Sequence, residues 1–305
     1  MAFRVVLIES EVSLKLNLNN LVLTKEEHET WVPLDDISMV VIDNLTVNIT
    51  TRLFCALSEH GIGVVVCNIQ HLPTGFYAPM ENHSRASKVF RFQIDFMGDP
   101  ASMLWSKIVS AKILNQQTTL QLLKDQPEIC EKMKEFADEI TVGDATNREA
   151  HAAKIYFNAL MGTSFSRGNE DILLNSGLDY GYSIVRAYIA RLCVGYGLNT
   201  QLGFHHRSEY NFFNLADDII EPVRPILDFF AYKLLDGEEI FTYEHRRKLV
   251  GFLNHKILYC SKKMYICNML EEYVSQVAGY VMGTRDKILF PQVEDYLGEE
   301  EEDEV

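Results

Sequence analysis

The sequence lacks the features of secreted, membrane-spanning and thiolate-zinc proteins. Its six cysteines include no C-x-x-C pair, which argues against a zinc site and favours reduced thiols in the core of a cytosolic protein. No apolar run approaches the roughly 20 residues that a membrane-spanning helix requires. The N-terminus has no long apolar region followed by a small-residue cleavage site, so we expect no secretory signal.

Positive charge is also scarce, and the shortage is greatest at one end. The chain of 305 residues carries a formal net charge of −15, and residues 294–305 contain eight acids and no Lys or Arg. Such a segment is typical of a self-repelling, disordered tail. Without these eight acids the net charge is still −7. Any surface that binds DNA must therefore be a local basic stripe and not a property of the whole chain.

Hydrophobic patterning divides the chain into a strand-rich part and a helical part. Apolar residues alternate with mostly polar ones over residues 12–18, which is typical of a strand. Further short apolar or β-branched runs predict strands at 4–8, 21–24, 37–42 and 64–66. One helix is predicted among them over residues 50–59, and apolar residues at three- and four-residue spacing predict long helices beyond residue 100.

Strands followed by helices, without βαβ alternation, predict the α+β class. We expect a β-rich N-terminal domain over residues 1–88, which ends in a polar linker at 81–88. A larger, all-helical domain is expected over 89–293, followed by the acidic tail over 294–305.

Three segments of the helical part concentrate side chains that can bind a metal. They contain Glu149, the pair His205-His206, and Glu221 with Asp218 close by. Carboxylate oxygens with an imidazole suit a hard divalent cation, for which Mg²⁺ and Mn²⁺ are the natural candidates. Such a site can polarise a phosphodiester and stabilise the charge that grows on it. Spacing alone does not bring the three segments together.

Each of these residues also has a structural interpretation. Thr146 and Glu149 have the S/T-x-x-E spacing of a capping box, in which Glu149 would only close a helix N-terminus. The two histidines could be surface residues of a loop. Asp217 or Asp218 could cap a following helix, and Glu221 would then be an exposed acid of its first turn.

Basic residues near these segments could contact phosphates. The candidates for DNA binding are Arg148, Lys154, Arg207 and Arg224, and a short cluster of Arg246, Arg247 and Lys248 on a predicted helix. The first four could instead form ordinary salt bridges with the many nearby acids. A cluster as short as the second is usually a solvated helix face.

Three longer segments carry a resemblance to a known family. They read NREAHAAKIYF, NSGLDYGYSIVRAYI and LGFHHRSEYNFFNLADDIIEPVRP, and the last combines G-F-x-H with L-A-x-D-x-x-E-P-x-R-P. With these segments the chain resembles the CRISPR-associated integrase and endonuclease of spacer acquisition (the "Cas one" family), in its type II-A version. The resemblance covers nearly the whole chain except the acidic end.

The resemblance implies that the three segments converge on one metal site. Its ligands would be Glu149, His206 and Glu221, with Mg²⁺ or Mn²⁺ as the cofactor. Asp218 and His205 would lie around these ligands, and Arg224 would contact phosphate or brace Glu221. The family also implies a β-sandwich-like N-terminal dimerisation domain, a helical catalytic domain, a homodimer and a prokaryotic, cytoplasmic location. Expected partners are double-stranded DNA, as fragment and as CRISPR repeat, and a small second adaptation protein.

The implied reaction is the insertion of a short DNA fragment into a CRISPR array. A DNA 3′-hydroxyl would attack a phosphodiester at the repeat boundary, so that no side chain acts as the nucleophile. Two alternatives stay open, namely a metal-dependent nuclease that uses water and a non-catalytic scaffold that only binds DNA. Covalent joining, cleavage alone and binding alone distinguish the three.

Overall fold

A computed structural model describes residues 4–77, 84–163, 165–167, 169 and 172–299. Its strands are β1 Arg4–Ile8, β2 Ser13–Asn17, β3 Asn20–Lys25, β4 His28–Pro33, β5 Ile37–Ile42, β6 Asn48–Ile49, β7 Gly63–Cys67, β8 Pro73–Tyr77, β9 Lys256–Tyr259, β10 Lys262–Tyr265 and β11 Tyr296–Gly298. Its helices are α1 Thr51–Glu59, α2 Ala86–Phe96, α3 Asp99–Leu123, α4 Pro127–Asp138, α5 Arg148–Met161, α6 Leu173–Gly195, α7 Asn214–Ile220, α8 Arg224–Leu235, α9 Tyr243–Gly251 and α10 Ile266–Val281. This order of strands and then helices confirms the α+β class.

The N-terminal part consists of two four-stranded sheets around one core. One sheet has the order β1-β5-β7-β8, with β1, β5 and β7 parallel, and the other has the order β4-β3-β2-β6. Helix α1 joins the parallel strands, and the Thr50 side chain caps it by accepting from the Leu53 N–H. Apolar side chains of both sheets and of α1 share this core, including Leu14, Leu21, Val40, Leu53 and Val64.

The central strands β5 and β7 bury side chains on both faces. Val40 and Val64 point into the N-terminal core, whereas Met39, Val41 and Val65 pack into the core of the helical part. Alternate residues of a strand point to opposite faces, so continuous apolar runs are typical of such doubly covered strands. The strand-rich and helical parts therefore pack directly against each other through this sheet.

The helical part packs around α3 and α6. Gly181 lets α6 approach α8 closely, because a Cβ there would lie 2.9 Å from Leu227 Cδ2. No helix among the described residues is both long and apolar enough to cross a membrane. The predicted domain boundary at residue 88 stays a prediction. Helix α2 begins at Ala86 and continues across this boundary. Residues 81–83 of the predicted linker lie outside the described residues.

A small sheet within the helical part was not predicted from the sequence. Strand β9 pairs antiparallel with β10 on one side and with β11 on the other. Cys260 and Ser261 connect β9 to β10 with positive φ angles of 51° and 61°, as a two-residue hairpin turn requires. The chain after α9 is therefore extended, where apolar spacing had predicted a helix.

Part of the predicted acidic tail is ordered. Val293–Asp295 form a short 3-10 helix, and β11 continues from it at the edge of the small sheet. Val293 is buried, and Glu294 accepts a hydrogen bond from the Thr118 hydroxyl of α3. The prediction of a disordered segment is therefore wrong for residues 294–299, because these contacts fix the chain. Residues 300–305 lie outside the described residues.

One buried acid of the helical core gives stability a distinct pH dependence. Asp228 of α8 accepts a hydrogen bond from the Tyr182 hydroxyl, and burial raises the pKa of Asp228 to about 6 from a usual 3.8. The folded state holds the carboxyl proton of Asp228 more tightly than the unfolded state does. The contribution of Asp228 to stability therefore falls as the pH rises from about 4 to about 6. Asp228→Asn should remove this decrease in stability and raise the free energy of unfolding by up to about 3 kcal/mol at pH 7.

Urea unfolding at pH 4 and pH 7 measures this effect. We expect the variant and the unmodified protein to differ little at pH 4 and most at pH 7. Asp236→Asn, at the exposed C-terminal end of the same helix, is the matched control and should leave the pH dependence unchanged. An Asp228→Asn protein with the same pH dependence as the unmodified protein would refute the assignment.

Candidate active site

Glu149 lies in the first turn of α5, but it does not cap that helix. The Asp144 carboxylate accepts hydrogen bonds from the N–H groups of Arg148 and Glu149, at 2.8 and 2.9 Å. Asp144 therefore binds the Glu149 N–H, the donor that the Thr146 side chain would have bound in a capping box. The capping interpretation of Glu149 is wrong, and its carboxylate is left to point toward α3.

Glu221 lies between α7 and α8 and is almost fully buried, with 4% of its surface exposed. The interpretation of Glu221 as an exposed first-turn acid is therefore wrong. Arg224 Nε donates to Glu221 Oε1 at 2.9 Å, and the guanidinium lies 4.4 Å from the centre of the Tyr182 ring. Burial raises the pKa of the Glu221 carboxyl, but the Lys112 and Arg224 cations outweigh it and hold that pKa at about 2.

Lys112 of α3 brings the two carboxylates together. Its ammonium donates to Glu149 Oε1 at 2.5 Å and is also in contact with Glu221 Oε2. The two carboxylate oxygens thus lie within two hydrogen-bond lengths of each other. Burial lowers the pKa of Lys112, but the two carboxylates raise it by a larger amount. The pKa is therefore raised overall, and the amine is charged.

His206 is held beside this pair by Asp218. The Asp218 carboxylate is fully buried and accepts from the N–H groups of His205 and His206, at 3.0 and 3.2 Å, and lies 2.6 Å from His206 Nδ1. This contact raises the pKa of His206, and the negative charge of Glu221 raises it as well. Since Asp218 engages Nδ1, Nε2 is the ring nitrogen available to a metal.

The loop that carries His206 has room for no side chain at Gly203. A Cβ at this position would lie 2.4 Å from the His206 carbonyl oxygen and 2.7 Å from Asp218 Oδ2. The glycine of the G-F-x-H segment therefore lets the backbone fold closely over Asp218.

His205 occupies a different place from His206. Its ring stacks on the buried Trp105 of α3, with ring centres 4.3 Å apart and planes within 5°. Trp105 also meets the His206 ring edge-on at 5.7 Å. His205 therefore contributes a stacked ring and a backbone donor, and its ring is directed to Trp105.

The side chains at the centre of the site fit a divalent cation in their chemistry. In the described part of the chain, no group of three or more His, Cys, Asp and Glu side chains is already arranged as a metal site. Instead, the Lys112 ammonium occupies the position between the Glu149 and Glu221 carboxylates. Glu221 Oε2 is buried, has no hydrogen-bond partner of good geometry and contacts that ammonium. Two carboxylates and a neighbouring imidazole are ligands that Mg²⁺ and Mn²⁺ accept.

The predicted DNA-binding residues differ in how far their side chains are available. Lys154, Arg207, Arg247 and Lys248 are exposed, and Arg207 lines a cavity of about 540 Å³ beside Gly203. Arg148 pairs with Glu139 at 2.7 Å.

Two of the predicted DNA-binding residues are engaged inside the protein. Arg224 pairs with Glu221, so of its two expected roles the structure favours the brace. Arg246 is 14% exposed and its Nε donates to the buried Asp43 of the N-terminal part, so its assignment to DNA stays a prediction. The buried carboxylate of Asp43 explains this position, because a charge removed from water requires a partner.

Comparisons with known proteins identify the family of this chain. The family model described as CRISPR associated protein Cas1 matches residues 5–257. The chain is 37% identical over 260 residues to the CRISPR-associated endonuclease Cas1 of Neisseria meningitidis serogroup C (strain 8013), which covers 84% of this chain and 85% of that protein.

Solved structures share the fold. A casposase bound to its integration product superimposes with a TM-score of 0.78 at 18% identity, covering 96% of this chain and 94% of the casposase chain. A chain of a Cas6-RT-Cas1–Cas2 complex superimposes with a TM-score of 0.73 at 19% identity, covering 96% of this chain and 36% of that chain. With the family model matching most of its length, the chain belongs to the Cas1 family of CRISPR-associated proteins.

Proposed function

We propose that this chain is a metal-dependent DNA integrase that inserts short DNA fragments into a CRISPR array. The observation that carries the proposal is the meeting of the Glu149 and Glu221 carboxylates at one cation position, with His206 beside them. Two comparisons support the proposal. The chain belongs to the Cas1 family, and a casposase with the same fold is bound to an integration product in its solved structure.

The proposed ligands are Glu149, His206 and Glu221, and the proposed cofactor is Mg²⁺ or Mn²⁺. A divalent cation bound there would polarise the scissile phosphate and offset the charge of the in-line transition state. Asp218 keeps His206 in the tautomer that presents Nε2, and Arg224 holds the orientation of Glu221.

The proposed reaction is a transesterification between two DNA molecules. The 3′-hydroxyl oxygen of the fragment forms a bond to phosphorus, the hydroxyl proton is lost to solvent, and the phosphodiester at the repeat boundary releases its 3′-oxygen as a new hydroxyl. One phosphodiester is broken for each one formed, so little bond energy changes. Positioning of the two DNAs is therefore expected to dominate the rate.

The proposed partners are double-stranded DNA, a second copy of this chain and a small second adaptation protein. The complex that contains Cas1 and Cas2 supports an assembly of this kind, because a chain of that complex has the same fold. A metal-dependent nuclease that uses water is the second candidate, since the curated relative in Neisseria is named an endonuclease.

A joining assay separates these functions. The protein is incubated with a short duplex bearing free 3′-hydroxyls, a repeat-containing plasmid and Mn²⁺. Covalent joining that disappears with a 3′-dideoxy duplex supports the integrase. Cleavage of the plasmid without joining would support the nuclease, and binding without either reaction would support a scaffold.

Exposed and buried arginines should respond differently to truncation. Arg207→Ala is expected to weaken DNA binding and to reduce the slope of log affinity against log salt by about one, with no loss of stability. Arg246→Ala should instead destabilise the fold by about 2 kcal/mol, because it removes a charged partner of the buried Asp43.

Salt-dependent binding titrations and urea unfolding of both variants measure these effects. The two proteins serve as each other's controls, since each change removes one guanidinium. An Arg246→Ala protein with normal stability but a reduced salt slope would overturn this division of roles.

A further inference from the structure

The ammonium of Lys112 lies where a metal ion would have to bind. It touches one oxygen of Glu149 and one of Glu221, the two carboxylates proposed as metal ligands. Mg²⁺ coordinates carboxylate oxygens at about 2.0–2.1 Å, a shorter distance than that of an ammonium hydrogen bond. An ammonium and a metal ion that contact the same two oxygens therefore exclude each other.

We propose that Lys112 is an internal competitor for the metal site, whose ammonium holds the two carboxylates together without metal and is displaced when a divalent cation binds. This inference rests on the proposed metal site and adds to it a residue that opposes metal binding. The lysine of α3 would thus lower the metal affinity that the ligands provide.

Burial makes the lysine necessary in the metal-free protein. The side chains of Lys112 and Glu221 are 9% and 6% exposed, so neither charge is well solvated. Two carboxylates in such surroundings repel each other and need a cation between them. Lys112 therefore preforms the carboxylate pair, and a divalent cation gains the site only by replacing this contact.

The ammonium has a direction in which it can leave. Glu149 is the more exposed carboxylate, at 28%, so the site opens to solvent on the Glu149 side. Lysine has a flexible four-carbon stem with a strongly hydrated ammonium, which suits movement toward that opening. Arg224 stays with Glu221 through Oε1, so the other oxygen of Glu221 is the one that changes partner.

Calorimetric titration of Mn²⁺ into the purified protein and into Lys112→Met tests the competition. We expect Lys112→Met to bind Mn²⁺ about tenfold more tightly or better, because no ammonium has to be displaced. Without metal its melting temperature should fall by about 5 °C or more, and saturating Mn²⁺ should recover most of that loss. Lys107→Met, an exposed lysine of the same helix, is the matched control and should change neither quantity.

The outcomes separate this inference from the metal site itself. Equal or weaker Mn²⁺ binding by Lys112→Met, in a protein whose binding depends on Glu149, would overturn the inference and leave the metal site standing. Mn²⁺ binding that Glu149→Gln does not affect would overturn both.

A second measurement uses the unmodified protein and does not depend on the variant folding. Acetic anhydride labels exposed amines, and mass spectrometry reads each lysine separately. Lys112 should be protected without metal and react several-fold faster with saturating Mn²⁺, while Lys107 reacts equally in both conditions. A Lys112 that stays equally protected when Mn²⁺ is bound would contradict displacement.

Discussion

Glu221→Gln is expected to reduce joining of a 3′-hydroxyl duplex to a repeat-containing plasmid by about 10³-fold or more. Glutamine keeps the size of the side chain and the oxygen that accepts from Arg224, but it removes a negative charge from the cation position. A neutral amide is a much weaker ligand for a hard divalent cation than a carboxylate. The rate of joining at saturating Mn²⁺ and the affinity for the duplex are the two quantities to measure.

Binding and reaction should separate in this experiment. DNA affinity is expected to change little, because the phosphate contacts are proposed for exposed basic residues and not for Glu221. Glu149→Gln and His206→Ala should behave as Glu221→Gln does, and effects of such a unit are not additive. Glu139→Gln, an exposed acid beside Arg148, is the control and should join DNA normally. Normal joining by all three site variants would show that the reaction occurs elsewhere.

Asp218→Asn is expected to slow joining by about 10- to 100-fold, the usual effect of losing a partner that orients a metal ligand. The Asp218 carboxylate raises the pKa of His206 through their hydrogen bond. A protonated imidazole cannot bind a metal, so joining by the unmodified protein should fall as the pH drops through that raised pKa. In the variant the pKa of His206 is lower, and the acid limb of the profile should move to lower pH.

The pH profile of joining, from pH 5 to pH 9, distinguishes this role from simple loss of stability. Destabilisation would lower the whole curve, whereas loss of the carboxylate shifts the acid limb as well. Asp217→Asn changes a neighbouring acid with a weaker influence on the pKa of His206, so it should shift the limb less. An unchanged acid limb in Asp218→Asn would contradict the positioning role.

The sequence predicted five strands of the N-terminal part, namely β1, β2, β3, β5 and β7, but it did not predict β4, β6 and β8. Continuous apolar or β-branched runs located β1 and β5 at their observed bounds, and the helix predicted over residues 50–59 is α1, which begins at Thr51. The hairpin of β9 and β10 was missed because its residues continue the apolar spacing of α9. Pairing with β11, distant in the chain, stabilises that hairpin, and local patterns do not contain this information.

The sequence suggested residues for the candidate site but not the contacts among them. Recognisable motifs supplied Glu149, His206 and Glu221, whereas Lys112 and Asp144 carry no such signal. A faint one existed, since Lys112, Asn115 and Thr119 recur at helical spacing in α3 and place polar groups on its buried face. Arg246 was assigned to DNA because the sequence does not show that Asp43 is buried beside it.

Anomalous X-ray scattering from crystals soaked in Mn²⁺ tests the central claim most directly. The account predicts one strong peak within coordinating distance of a Glu149 oxygen, a Glu221 oxygen and His206 Nε2, with the Lys112 ammonium moved away from both carboxylates. A Mn²⁺ peak at other residues, or saturating Mn²⁺ with Lys112 still between Glu149 and Glu221, would contradict it.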